Sequence, residues 1–214
     1  NWNDWGYAGW TNDSCTAFPA LTCLAASWNP LLAAKYGYAI GEEARYREKD
    51  VLLGPGVNIY RTPLNGRNFE YMGEDPYLAS ELCVPYIQGV QKNGVAACVK
   101  HYALNNQELW RGHIDVQLSD RALYEIYLPA FKAAVERGKA WSIMGAYNKV
   151  RGTHATHHKL LNNDILKGEW NFDGCVITDW GAAHDTYEAA MYGLDIEMGS
   201  YTNGLTSESE FGYD

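Results

Sequence analysis

A chain of 214 residues has room for one domain, or for one large piece of a domain, and 47% hydrophobic content is ordinary for a globular core. Its 17 basic and 26 acidic residues give a net charge of -9, which argues against a nucleic-acid or anionic-membrane partner, since both call for a basic face. The sequence holds no apolar run long enough for a transmembrane helix. Aromatic residues reach 14%, with 8 Trp and 16 Tyr. Aromatics fill cores, but Trp and Tyr also stack on the C–H faces of sugar rings, and composition leaves both uses open. The cysteines Cys15, Cys23, Cys83, Cys98 and Cys175 are odd in number and form no Cys-x-x-Cys pair. They are expected to be free and mostly buried thiols, not a disulfide frame or a zinc site. With neither an initiator Met nor a signal-like start, the sequence is expected to be a mature form or a fragment.

In chain order, residues 1–20 lack periodicity and are expected to form a Trp-rich loop, within which Asn12-Asp13-Ser14 fits a glycosylation sequon. Segments 19–28 and 30–48 carry Ala and Leu at helical spacing, with Pro30 suited to a first turn. Val51-Leu52-Leu53 opens a strand expected to run through Ile59, and loop 60–74 follows with Arg61, Arg67 and Glu70. Asp75-Pro76 is an N-cap followed by an N1 proline, so a helix should run toward Gly94. Strand 95–100 and polar loop 103–118 come next. Ser119 caps a helix whose stripe is Leu123, Ile126, Tyr127, Ala130, Phe131, Ala134 and Val135; Gly138 ends it, and Pro129 should mark an irregularity. Strand 141–147, a helix near 158–168, strand 175–179, a helix near 183–192 and a last short strand over 193–198 complete the order, before a loop-like tail. This alternation of strand and helix implies a parallel sheet.

In parallel α/β folds, chemically active groups gather at the carboxyl ends of strands. The apolar run Cys175-Val176-Ile177-Thr178 ends on Asp179 and Trp180. Lys100-His101 ends the run Val95–Val99, and Tyr147-Asn148 follows Ser142–Ala146. Taken singly, each has a plain structural use. A strand-end Asp is often a loop or helix cap, and Lys100 can be an ion-pair residue or, in a barrel, a Schiff-base lysine. His154, His157 and His158 cluster in sequence, but no carboxylate is spaced with them, so no metal site is expected. Asp195 and Glu197 read as structural groups at a strand end.

A longer pattern ties these positions together. It runs through Leu53-Gly54-Pro55-Gly56-Val57-Asn58-Ile59, Gly66-Arg67-Asn68-Phe69-Glu70 and Gly73-Glu74-Asp75-Pro76-Tyr77-Leu78. It continues with Val99-Lys100-His101-Tyr102, Asn105-Asn106-Gln107-Glu108, Met144-Gly145-Ala146-Tyr147-Asn148, Glu169-Trp170-Asn171-Phe172-Asp173-Gly174 and Thr178-Asp179-Trp180. In order and spacing this resembles the catalytic barrel of glycoside hydrolase family 3, over roughly residues 15–198.

The resemblance implies an α/β fold of (β/α)8 TIM-barrel type with a strand-end active site. A full barrel typically takes about 250 residues, so residues 1–214 are expected to form an incomplete one, without the α/β sandwich domain that follows it in relatives. It implies an exo-acting, retaining β-glycoside hydrolase, foremost a β-glucosidase, that needs no cofactor or metal and acts on a small β-glycoside or oligosaccharide. Asp179 matches the family's nucleophile, which must be ionised and so benefits from cationic neighbours. Arg67, Lys100 and His101 match residues that hold sugar hydroxyls; Tyr147 lies near the nucleophile, Trp180 walls the subsite, and Glu70 supports Arg67. Three departures stand out. The family's early Asp-Gly-Pro element has no good counterpart, Asp4-Trp5-Gly6 being a poor match, and Arg151-Gly152 stands where many relatives carry Asn-Gly. The usual acid/base glutamate belongs to the sandwich domain, and the His113 and Asp115 region lacks the motif of the subgroup that uses a barrel-loop Asp-His pair instead. β-Xylosidase activity, a non-catalytic sugar-binding remnant and a lyase using Lys100 are the alternatives. The expected location is secreted or periplasmic.

Overall fold

The computed structural model describes residues 15–198. The Trp-rich segment with its sequon, the Asp4-Trp5-Gly6 triplet and the tail from residue 199 lie outside the described residues. The helix signals act as their chemistry dictates. After α1 (Leu21–Ala26), the Asn29 side chain accepts from the Leu31 and Leu32 N–H groups and Pro30 takes the first position of α2 (Pro30–Tyr46). Following β1 (Val51–Leu52), Asp75 caps α3 (Pro76–Gln91) through Tyr77 and Leu78 N–H, and α3 tolerates Pro85 in its interior.

Helices α2 and α3 cross with backbone against backbone. A Cβ on Gly37 would sit 2.1 Å from the Tyr86 carbonyl oxygen, and one on Gly89 would sit 2.4 Å from that of Ala34. Only glycine allows so close a contact.

Four parallel strands form the central sheet in the order β1, β2 (Ala96–Tyr102), β4 (Ser142–Gly145), β7 (Cys175–Ile177). Sequential neighbours in parallel register, with intervening helices, are one wall of a (β/α) barrel. The incomplete TIM-barrel-like α/β expectation therefore holds. Between β2 and β4, the chain forms β3 (Asp115–Val116), α4 (Asp120–Ala122) and α5 (Pro129–Glu136). β4 is followed by β5 (Lys149–Val150) and β6 (Thr153–His154), and β7 by α6 (Thr186–Met191), which Asp185 caps. Helices α3 and α5 cover the sheet's outer face, burying Leu82, Ile87, Phe131 and Ala134 against Val95, Ala97, Val99 and Ile143.

Several elements differ from expectation. The predicted strand 51–59 pairs formally only at Val51–Leu52; beyond Gly54, contact with β2 resumes at Gly56 and Lys100, with Val57 N–H donating to Lys100 O at 2.8 Å. β2 runs on to Tyr102, and the segment 193–198 pairs through a single parallel bridge, Ile177 to Ile196. The helix expected after Ser119 is three pieces: α4, a π-helical turn Leu123–Tyr127, and α5 restarting at Pro129, where the sequence did place an irregularity. Pro129 lacks an N–H to donate, so the hydrogen-bond ladder changes register there and the proline becomes a new first residue. The segment Leu160–Glu169 is likewise π-helical. A small sheet of β3, β5 and β6 was not foreseen, because two-residue strands leave no hydrophobic period. Its hairpin turns through Arg151 and Gly152, both at positive φ (51° and 97°), the geometry favoured in two-residue hairpin loops. None of the five cysteines forms a disulfide, as expected, but only Cys83 and Cys98 are buried; Cys15, Cys23 and Cys175 are exposed, which corrects the expectation of mostly buried thiols.

Candidate active site

Asp179 follows β7 by two residues, past the buried Thr178, and is itself buried, the residue being 4% exposed. Oδ1 accepts from the Trp180 backbone N–H at 2.8 Å and from the Tyr147 hydroxyl at 3.1 Å. Oδ2 faces His101 Nε2 at 3.5 Å. One oxygen is thus pinned by two donors, and the other is less encumbered.

His101 lies within β2, beside Lys100. The Lys100–His101 peptide is cis. Asn58 holds the His101 backbone from both sides: its Nδ2 donates to His101 O and its Oδ1 accepts from His101 N–H, each at 2.9 Å. Burial, reinforced by the positive charges of Lys100, Arg67 and Arg111, holds the His101 pKa well below the usual histidine value, so the ring is neutral at pH 7.

Arg67 projects from the loop between β1 and α3. Its Nε and one terminal nitrogen meet the two oxygens of Glu70 at 3.2 and 2.8 Å, a bidentate pair. Glu70 also meets Lys100 Nζ at 3.4 Å. Burial pushes the Glu70 pKa up, but the Arg67 hydrogen bonds and the charges of Lys100 and Arg67 outweigh it and hold the carboxyl below its ordinary value. Tyr147 follows β4, and burial together with the charge of Asp179 pushes its hydroxyl pKa up, so it stays a proton donor.

These groups surround one cavity of about 240 Å³. Arg67, Glu70, Lys100, His101, Tyr147, Asp179 and Trp180, the seven positions singled out from sequence, all line it. Two larger hollows, of about 510 and 440 Å³, lie around Trp141 and between α3 and α5, and hold none of the seven. Leu53 and Met144 form an apolar part of the lining, next to the buried cluster of Cys98, Met144 and Ile177.

Two residues escaped the sequence reading. Arg111 lines the cavity with its guanidinium 4.0 Å from the centre of the Tyr147 ring. Glu108 accepts from Arg111 at 2.8 Å and lies 3.8 Å from Arg67. Lys100, Glu70, Arg67, Glu108 and Arg111 therefore form a line of alternating charge along the site. Glu108 sits inside the quoted Asn105–Glu108 block, but the loop 103–118 carries no periodicity that would aim it or Arg111. The histidine cluster does acquire a carboxylate: His157 Nδ1 lies 2.9 Å from Glu188 Oε2, contributed by α6, and His184 stacks on His154 at 3.9 Å. Even so, no group of three metal-ligating side chains is assembled among the described residues. Asp195 binds Lys167 at 2.7 Å and the Val176 N–H at 2.7 Å, a structural role.

Residues 4–198 match the description "Glycosyl hydrolase family 3 N terminal domain". The chain is 46% identical over 193 residues to thermostable beta-glucosidase B of Acetivibrio thermocellus, which covers 90% of this chain and 25% of that protein. It is 48% identical over 189 residues to an exo-alpha-(1->6)-L-arabinopyranosidase of Bifidobacterium longum, with 88% and 25% covered. The fold superposes on beta-glucosidase 3B of Thermotoga neapolitana, solved in complex with glucose, with a TM-score of 0.87, 43% identity, and coverage of 94% of this chain and 29% of that one. The chain spans about a quarter of the length of the curated relatives it matches. The strand-end constellation, the family match and the shared fold agree: this chain belongs to glycosyl hydrolase family 3, and corresponds to the family's N-terminal domain.

Proposed function

We propose that this domain supplies the nucleophile and the sugar-binding subsite of a retaining, exo-acting β-glycoside hydrolase, with a β-D-glucoside as substrate. The observation that carries the reading is the asymmetry of Asp179. Two donors fix Oδ1, while Oδ2 stands beside a neutral His101 in a cavity also lined by Arg67, Lys100 and Arg111. In a retaining mechanism that oxygen attacks the anomeric carbon as the glycosidic C–O bond breaks and the leaving-group oxygen takes up a proton, giving a glycosyl ester of inverted configuration that water then hydrolyses. Water attacks that carbon from the face opposite the ester and expels the carboxylate, so the second inversion cancels the first and configuration is kept.

Arg67, Lys100, His101 and Arg111 are donors for the sugar hydroxyls. Arg67 is held in plane by Glu70, which orients its remaining N–H groups before substrate arrives. The Trp180 ring, at the cavity wall, offers an apolar face to the C–H side of a pyranose. Glu70 is a poor candidate for the general acid. Its oxygens are taken up by Arg67 and Lys100, and it is ionised at neutral pH. The proton for the leaving group is therefore proposed to come from outside this domain. The name of the arabinopyranosidase relative keeps a pentopyranoside substrate as the second reading; an α-L-arabinopyranoside lacks the hydroxymethyl group of a β-D-glucoside and has the opposite configuration at C4.

The test is mechanism-based labelling. A 2-deoxy-2-fluoro β-glucoside with an activated leaving group should esterify Asp179, because the fluorine slows breakdown of the intermediate. Peptide mapping that finds the label on Glu70, or on any other carboxylate, overturns the assignment.

A further inference from the structure

A hydrogen-bond path reaches His101 through Nδ1, the ring nitrogen opposite the one that faces Asp179. Glu108 Oε1 accepts from Asn105 Nδ2 at 3.1 Å, the Tyr71 hydroxyl oxygen accepts from the same Nδ2 at 3.4 Å, and that hydroxyl lies 3.0 Å from His101 Nδ1. Both ends of the path are carboxylates, which only accept. We propose that Tyr71, directed by Asn105 and Glu108, is a positioning residue that donates to His101 Nδ1 and so holds the ring proton on Nε2, facing Asp179 and the cavity.

The direction follows step by step. Glu108 cannot donate, so the amide NH2 of Asn105, not its carbonyl, is the end turned toward it. The second hydrogen of that NH2 points at the Tyr71 oxygen. The Tyr71 hydroxyl has one proton, and its remaining neighbour in the path is His101 Nδ1. At the far end, Nε2 lies 3.5 Å from Asp179 Oδ2, an acceptor, which favours a proton on Nε2. The opposite tautomer would set a ring lone pair against the Asp179 carboxylate and aim the tyrosine proton at an NH2 group.

Tyr71 and Asn105 are 0% exposed and His101 is 1% exposed, so bulk water does not compete for these bonds. The ring is neutral and has a single proton to place. The edge-on approach of the two rings, with 86° between planes, suits an in-plane bond to the imidazole nitrogen.

This rests on the proposed glycosidase site and specifies which proton His101 offers a sugar hydroxyl. The test is ¹⁵N–¹H spectroscopy of the 214-residue chain labelled at histidine, with the His101 ring signals assigned by loss in His101→Gln. At pH 7 a single Nε2–H tautomer is expected. An Nδ1–H tautomer, or an imidazolium, overturns the proposal, and this outcome needs no folded variant. Tyr71→Phe removes the donor, so the Nδ1 resonance should move to that of an unbonded ring nitrogen; an unchanged resonance also overturns it. Asn105→Asp turns an acceptor to Tyr71, which should reverse the path and switch His101 to Nδ1–H, whereas retention of Nε2–H counts against the proposed direction. Titration with glucose separates the two readings. A wild-type ring that is Nε2–H but unmoved by sugar leaves the role of Tyr71 standing and counts against the subsite.

Discussion

The Tyr147 hydroxyl donates to Asp179 Oδ1 at 3.1 Å, and by occupying that oxygen it leaves Oδ2 as the one turned toward His101 and the cavity. The bond joins the ends of β4 and β7, adjacent strands whose parallel register brings both side chains to the same rim.

The pair gives a kinetic prediction that rests on the proposed mechanism. Asp179→Ala should lose several orders of magnitude in kcat with substrate binding largely kept, as expected when a group acts chiefly in the transition state. Tyr147→Phe should lose about 10–100-fold in kcat with a smaller change in KM. Steady-state kinetics on an aryl β-glucoside check both. A Tyr147→Phe enzyme with wild-type kcat would show that the bond to Oδ1 does not orient the nucleophile.

Arg67→Lys should weaken sugar binding by about tenfold or more despite keeping the charge. Lysine cannot span both Glu70 oxygens, so the planar orientation of the remaining donors is lost. Circular dichroism should stay native, and calorimetric titration with glucose reads the affinity. Equal affinity in the variant would mean that charge alone is what Arg67 contributes.

Residues 1–214 alone should turn over β-glucosides very poorly. Leaving-group protonation is worth about 10²–10⁴-fold, and the Glu70 carboxylate is committed to Arg67 and Lys100. Activated phenol leaving groups need that proton least and should keep the largest share of any activity. Turnover of cellobiose comparable to that of a longer form would place the acid within this chain.

Acid should destabilise the fold before its carboxylates titrate fully. Burial holds His101, His154, His157, His158 and His184 below the usual histidine value, His154 to about 4. For groups so depressed, the unfolded chain binds more protons between the folded pKa and about 6.5. Stability is therefore fully present above about 6.5 and falls as pH drops toward 4. Urea midpoints measured at intervals from pH 7 to pH 4.5 should fall accordingly. His154→Gln should flatten part of that slope, since it removes one of the stacked imidazoles; an unaltered slope would exclude His154 as a contributor.

Gly37→Ala should destabilise the domain by about 1–3 kcal/mol through overpacking, because the new methyl meets backbone and not a movable side chain. Chemical denaturation of the variant and of a control with open space at the added methyl, Gly112→Ala, where nothing lies within 4 Å, measures the difference.

Much of the site was legible in the sequence because strand-end chemistry is local. The apolar runs before Lys100, Tyr147 and Asp179 announce strands, and a parallel arrangement sends their carboxyl ends to one face. The caps Asn29, Asp75 and Ser119 act within three residues of themselves, so their helices start where expected. The family resemblance added Arg67 and Glu70, which no period would have singled out.

What the sequence by itself determined is the order of the central-sheet strands and the helices between them, the family, and the seven residues that meet at one cavity. Only the tertiary structure decided the pairing geometry among them: which Asp179 oxygen is occupied, which His101 nitrogen faces it, and how Glu108 and Arg111 close the line of charge. It also decided the exposure of three cysteines and the meeting of His157 with Glu188. These depend on contacts between residues far apart in the chain, and hydrogen-bond direction is set by the partner across the fold rather than by sequence neighbours.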